Sequence, residues 1–341
     1  MYSFWRVKAI AWLNFPIKIK RVDTYETAYI LKFSNLKING KISAILLLGL
    51  GLFITYVALK AINFDFSEIP AERLTLMGDK NSAIPFGTLF TGMIFIQMFY
   101  WSTNQTITQR AMASPSVKEA QKGIIAAAII RLLIVPPIIV IPGIVSYKLY
   151  GRIEGDGAYG TLVGDILPAV LSGAFAAAIL AAILTTFNSI LNASAALWVC
   201  DIHETYIKKN PNIKRLSFWV AIVMVLLSLL LVPFFATQES LINTVQQLYG
   251  LLSMPILSAF IVGLLFKNVN ANAVILAVIA GVLFYYFATN PFGDKQNIDL
   301  HYIHLMAITL IGSVSFALLI NLIGFKQKAV WDAHNVFGKA T

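Results

Sequence analysis

Gly173-Ala174-Phe175-Ala176-Ala177-Ala178-Ile179-Leu180-Ala181-Ala182-Ile183-Leu184-Thr185-Thr186-Phe187-Asn188-Ser189-Ile190-Leu191-Asn192-Ala193 is a stretch with no charged residue. Small side chains recur at every fourth position, at Gly173, Ala177, Ala181, Thr185, Ser189 and Ala193, with a parallel row at Ala174, Ala178, Ala182 and Thr186. On a helix each row forms a stripe, and small stripes let backbones approach closely where no water drives association. The stretch therefore predicts a membrane helix packed on several sides at the centre of a bundle. Thr185, Thr186, Asn188, Ser189, Asn192 and Ser194 add a dense set of oxygen-bearing groups. A hydroxyl pair beside a loosened backbone carbonyl suits a hard cation such as sodium, which takes oxygen ligands. The competing reading is that these hydroxyls bond their own i−4 carbonyls or a neighbouring helix.

Working outward, the rest of the chain is of the same kind. Of 341 residues, 58% are hydrophobic and only 12% charged. Apolar windows recur near 43–62, 85–107, 123–148, 168–200, 216–236, 240–266, 271–288 and 303–325, each about the length that spans a bilayer. The expected fold is all-α, a polytopic membrane bundle of about eight helices. It divides into an N-terminal segment 1–42, a membrane domain 43–325 and a tail 326–341. No cleavable signal peptide is expected, because residues 1–42 lack an apolar core followed by a small-residue cleavage site.

The net charge of +10 could indicate nucleic acid, but its distribution follows topology. Of the 26 Lys/Arg, 19 lie in segments that fall on one side of an eight-helix weave: residues 1–42, the loops holding Arg110 to Lys122 and Lys208 to Arg215, Lys267, and the tail. Basic loops stay in the cytoplasm, so both termini are expected there, in a plasma (inner) membrane, with no nucleic-acid partner. Cys200 is the only cysteine, which excludes an internal disulfide. His301 and His304 sit at helical spacing but lack further ligands, and a solvated helix end explains them better than a metal site. No nucleophile triad or phosphate loop is present, so neither enzymatic activity nor a cofactor is expected.

Polar groups inside apolar windows are costly and face protein or water. The second window ends in Gln97, Tyr100, Trp101, Ser102, Thr103, Asn104, Gln105, Gln109 and Arg110, which suits either a helix that unwinds beside a cavity or an interfacial aromatic belt. Arg131 lies inside the third window and must pair, face water or snorkel; Pro136, Pro137 and Pro142 predict a kink beyond it. The sixth window carries Asn243, Gln246 and Gln247 before Gly250 and Pro255, so its first half is polar and its middle can bend, unless Gln246 or Gln247 simply bonds a neighbouring helix.

Two ordered stretches carry a resemblance. Tyr100-Trp101-Ser102-Thr103-Asn104-Gln105 through Gln109-Arg110, followed by Glu119-Ala120-Gln121-Lys122-Gly123, and Ala181-Ala182 through Thr185-Thr186 to Asp201-Ile202 resemble the sodium/solute symporter family, which includes the sodium/glucose cotransporters. The resemblance implies part of an inverted-repeat, leucine-transporter-type fold, with sodium and solute meeting near the midplane and access alternating between sides. It implies sodium binding by the Ala182 carbonyl and the Thr185 and Thr186 hydroxyls. It implies solute binding by Gln97, Tyr100, Trp101, Arg131 and Gln246, Arg131 standing where a bacterial sugar carrier has lysine. The implied function is sodium-coupled transport of a small polar solute, a sugar first and an amino acid, sialic acid or vitamin as the alternative; a different class is a non-transporting membrane fragment. The family's first-repeat helices are not in this sequence, and residues 14–42 do not follow its pattern. The expectation is therefore the C-terminal part of a carrier, from a truncated or interrupted gene, with a separately encoded N-terminal half as a partner.

Overall fold

The structure, a computed structural model, describes residues 40–332 except 76, 80, 81, 83, 152, 154–156, 239 and 291–296. Nearly all of the segment 1–42 and the end of the tail, 333–341, lie outside the described residues. The described residues are helical almost throughout, and the chain is an integral membrane protein. Six helical runs are long and apolar enough to cross a membrane, among the described residues. The eight windows expected from sequence are all helical, but two of them differ from the rest. The first is α1 (Gly40–Ala61), whose described apolar stretch is the shorter Ile45–Ala61. The second is not one helix but three pieces: a 3-10 turn at Phe86–Phe90, α2 (Gly92–Ser102) and α3 (Gln105–Met112).

The third window runs as α4 (Val117–Val135), a π-helical turn at Pro136–Val140 and α5 (Ile141–Tyr150). Proline has no N–H, so Pro136 and Pro137 interrupt the i−4 ladder and the turn widens. In the wider turn the Ile141 N–H reaches the Pro136 carbonyl, while the matching donor for the Pro137 carbonyl would be Pro142, which has none. Thr55 of α1 fills that gap, its buried hydroxyl lying 2.6 Å from Pro137 O and 3.0 Å from Gly51 O. Gly51 is needed there, because a Cβ would stand 2.9 Å from Ile138. The prolines thus widen the helix into a π turn where a kink was expected, and α1 packs its Thr55 against that turn.

Next come α6 (Ala158–Ile166), α7 (Ala169–Ala196) with a π-helical extension Leu197–Ile207, and α8 (Ile213–Ala236). No sequence window announced α6, which is too short to register as a span. The chain ends with α9 (Leu241–Leu265), α10 (Ala271–Thr289) and α11 (Tyr302–Ile323), plus a two-residue antiparallel pairing of β1 (Phe266–Lys267) with β2 (Val330–Trp331).

Packing separates the helices into two groups. Helices α9, α10 and α11 pack on one another, with α2 laid against them, around Met254, Tyr285, Tyr302, Ile303 and Met306. Glycine allows the closest approaches: Gly250 meets the Tyr285 hydroxyl at 2.6 Å from where a Cβ would stand, and Gly92 abuts the Ile303 carbonyl. In the second group α1 packs on α5, α6 and α7, and α8 packs on α7. Helix α3 touches α2, α4 and α7 and so bridges the groups.

The expectation that α7 is packed on several sides holds only in part. Phe175, Ala178, Leu191, Ala193 and Ala195 are buried, but Gly173, Ala174 and Ala177 are exposed, and a Cβ on Gly173 would meet nothing within 4 Å. The Gly173–Ala177 end of the stripe is thus exposed, while Ala178 of the parallel row is buried. None of the most apolar stretch of α4–α5 is buried either, against 44% for α9 and for α11.

Candidate functional site

The site begins at the break between α2 and α3. Ser102 and Thr103 turn their hydroxyls back onto the Met98 and Phe99 carbonyls, competing with the helical ladder. Asn104 then adopts an extended conformation (φ −64°, ψ 119°) and caps α3, its Oδ1 accepting from Thr106 N at 3.0 Å and Thr106 Oγ1 at 2.7 Å. Its amide nitrogen donates to Tyr249 Oη on α9 at 2.7 Å, and Phe99 sets its ring edge against Tyr249, centroids 5.5 Å apart. The interrupted helix is thereby pinned to α9.

Tyr100, Trp101 and Arg131 come together. Tyr100 and Trp101 meet edge to face at 5.5 Å, and the exposed Arg131 holds its guanidinium carbon 5.2 Å from the Tyr100 ring centroid. A guanidinium near an aromatic ring is held by the ring's quadrupole. Gln97, also exposed, is the one polar side chain in a shallow groove with Leu89, Met93, Ile94, Met98 and Trp101. Gln246 is on α9, one turn before Tyr249, and its Oε1 accepts from the Tyr302 hydroxyl of α11 at 2.8 Å.

On α7, Thr185 Oγ1 donates to Ala182 O at 2.9 Å, Ser189 Oγ donates to Thr185 O at 2.8 Å, and Thr186 is exposed. The carbonyl at Ala182 is not loosened as expected: α7 is regular through Ala196 and widens only at Leu197, because Thr and Ser hydroxyls add to the ladder here without displacing it. Arg110 of α3 donates to Ser189 Oγ at 2.6 Å. The two groups are therefore joined through α3, by Asn104 to α9 at one end and by Arg110 to α7 at the other.

Several of these partners were not legible as partners. Tyr302 and Tyr249 are ordinary membrane residues in sequence, Ser189 stood out only as one hydroxyl of a set, and only the fold brings the three to Gln246, Asn104 and Arg110. His301 and His304 are more than a solvated end: His301 caps α11 by accepting from Ile303 N, and His304 Nδ1 lies 2.9 Å from Thr91 Oγ1 at the start of α2. At the far end of α1, Lys148 of α5 clasps Asp65, at 2.7 Å to its carbonyl and 2.9 Å to Oδ2. Hydrogen bonds from Ser67 and Lys148 hold the Asp65 carboxyl well below the usual carboxylate range. Arg73 lies 3.9 Å from the Tyr147 ring centroid beside this clasp.

Residues 41–281 match the family model described as the sodium:solute symporter family. The chain belongs to the sodium:solute symporter family. Among its relatives in this family it is 32% identical over 268 residues to the uncharacterized symporter YidK of Escherichia coli, covering 76% of this chain and 45% of that one. It is 30% identical over 259 residues to the sodium/glucose cotransporter of Vibrio parahaemolyticus, covering 68% and 47% respectively. The chain thus spans just under half the length of these symporters. A solved structure of a Na+-coupled sialic acid symporter in a substrate-bound outward-open state superposes with a TM-score of 0.63 at 20% identity, over 82% of this chain and 60% of that one. That likeness gives the fold: these helices are part of a leucine-transporter-type bundle.

Proposed function

We propose that these helices supply one half of a carrier that moves a small polar solute, a sugar, in step with sodium by alternating access. The observation that carries this reading is the family match over residues 41–281. In it, Ala182, Thr185 and Thr186 bind sodium. The Thr185 hydroxyl spends its proton on Ala182 O, which leaves the lone pairs of Oγ1 free for a cation, and neutral oxygens replace a hydration shell without adding full charge. Gln97, Tyr100, Trp101 and Gln246 contact the solute, with Asn104 and Tyr249 fixing the break of α2–α3 against α9 between them. Sodium drives uptake by favouring the conformation that binds solute better, so that each ligand shifts the population the other needs.

The exposed Thr186, Gln97 and Arg131, together with the open Gly173–Ala177 end of α7, are covered in this reading by the helices that make up the rest of the relatives' length, on the same polypeptide or a separate one. Both termini face the cytoplasm of a plasma (inner) membrane, supported by the basic residues gathered on that side. A second reading is favoured by Arg131: its planar guanidinium suits a carboxylate, so the sugar would be an acidic one.

The test is uptake into proteoliposomes of the full chain, alone and with the preceding family helices supplied, under an imposed sodium gradient. Radiolabelled glucose, myo-inositol and N-acetylneuraminic acid serve as probes. Uptake of at least one should require sodium, and Thr185→Val with Thr186→Val should raise its half-saturating concentration tenfold or more. Equal uptake in potassium overturns the coupling. Competition by neutral sugars against acidic ones separates the two solute readings.

A further inference from the structure

We propose that Tyr302 is a positioning residue for Gln246, turning the glutamine so that its two N–H groups, and not its carbonyl, meet the solute. This rests on Gln246 being a solute contact. A primary amide offers an acceptor on one side and two donors on the other, and unrestrained it presents either. Here the Tyr302 hydroxyl donates to Gln246 Oε1 at 2.8 Å, so the acceptor side is engaged from α11 and the donor side is left for a guest. The requirement on the solute follows: it must bring acceptor oxygens, from a hydroxyl or a carboxylate, to this position.

Tyr302 is suited to the task because it cannot yield. It is 4% exposed, its ring stacks on His301 with centroids 4.6 Å apart, and it belongs to the cluster of Met254, Tyr285, Ile303 and Met306. The next residue, Ile303, is jammed against Gly92 at the start of α2, so the phenol is fixed relative to the helix that carries Gln97 and Tyr100. Gln246, by contrast, is only half-buried on the polar half of α9, ahead of Pro255. Tyr302 also lies beyond residues 41–281, so the restraint comes from outside the segment the family model matches.

The experiment is sodium-driven uptake by the full chain with the preceding family helices supplied, using whichever of glucose, myo-inositol and N-acetylneuraminic acid is transported, for Tyr302→Phe, Gln246→Ala, the double variant and Gln246→Glu. Tyr302→Phe keeps the ring and its packing and loses the hydroxyl. It should raise KM about three- to tenfold with maximal rate changed less than about twofold, the size expected for one neutral hydrogen bond. In the Gln246→Ala background the same change should do nothing. Gln246→Glu keeps an acceptor for Tyr302 but has no donors, so it should lose affinity as severely as Gln246→Ala. An unchanged KM in Tyr302→Phe, an equal loss with and without Gln246, or a Gln246→Glu protein that binds as wild type overturns the positioning. If Gln246→Ala itself leaves KM unaltered, the solute reading of Gln246 falls and this proposal falls with it.

Discussion

Replacing Asn104 by alanine should loosen α3 by an amount the structure allows to be worked out. The side chain does two separable things. Its Oδ1 caps the helix through Thr106 N, and loss of such a cap costs about 1 kcal/mol. Its Nδ2 bonds Tyr249 on α9, and a net hydrogen bond of that kind contributes about 1 kcal/mol. The sum, about 2 kcal/mol, multiplies the local opening constant by roughly 30. Amide hydrogen exchange in lipid nanodiscs, followed on peptides covering Gln105–Met112, reads that constant directly. Asn104→Ser retains a cap but is too short to reach Tyr249, and Tyr249→Phe removes only the cross-helix bond, so each should speed exchange by about fivefold. Equal exchange in Asn104→Ser and Asn104→Ala would refute the capping role. Unchanged exchange in Tyr249→Phe would refute the tie to α9.

Gly92→Ala puts a Cβ onto the Ile303 carbonyl, which is backbone and cannot swing aside, so overpacking should cost about 3 kcal/mol and lower the melting midpoint in detergent by several degrees. Gly143→Ala, whose Cβ meets nothing within 4 Å, is the control and should not lower it; matching midpoints for the two would mean that α2 and α11 are not in the contact described. The Asp65 carboxyl is depressed in the folded protein from its usual value of 3.8, so what the clasp adds to stability is complete above that value and fades as pH falls below it. The melting difference between wild type and Asp65→Asn should accordingly be flat from pH 5 to 8 and shrink under more acid conditions; a difference that grows on acidification contradicts the sign.

What sequence could and could not reveal follows from the range of the forces involved. Apolar windows report burial in lipid, a local property, and every one of them is helical. Proline is local too, so a disturbed ladder at Pro136–Val140 was legible, and it takes the form of a π turn. The polar run at Gln97–Arg110 announced a disturbed helix but left an unwound segment and an interfacial belt equally open; the fold puts the break at Thr103–Asn104 and ties Asn104 to Tyr249, distant in sequence. The small stripe of α7 was read as packed on several sides, yet its Gly173 end is open, because a stripe states what can approach and not what does. Arg131 stood out as a charge inside an apolar window, while its neighbour Tyr100 was supplied only by the fold. Gln246 stood out, while Tyr302, an aromatic at a helix start, gave no sign of being its partner.

The two ends of α9 are held by different partners. Below Pro255, Phe266 packs edge-on against Trp331, Lys267 pairs with Asp332, and the wholly buried Asn321 ties Asn268, Asn270 and Gln327 together, so that half is anchored to α11. Above it, Asn104 holds Tyr249 and Tyr302 holds Gln246, and between the two halves Pro255 cannot donate to the Leu251 carbonyl, so the ladder lacks a bond there. Flexion at that point turns the upper half into a lever whose arm to Gln246, nine residues away, is about 13 Å. A swing of roughly 10° would carry the amide about 2 Å, enough to part it from a phenol that stays put on α11.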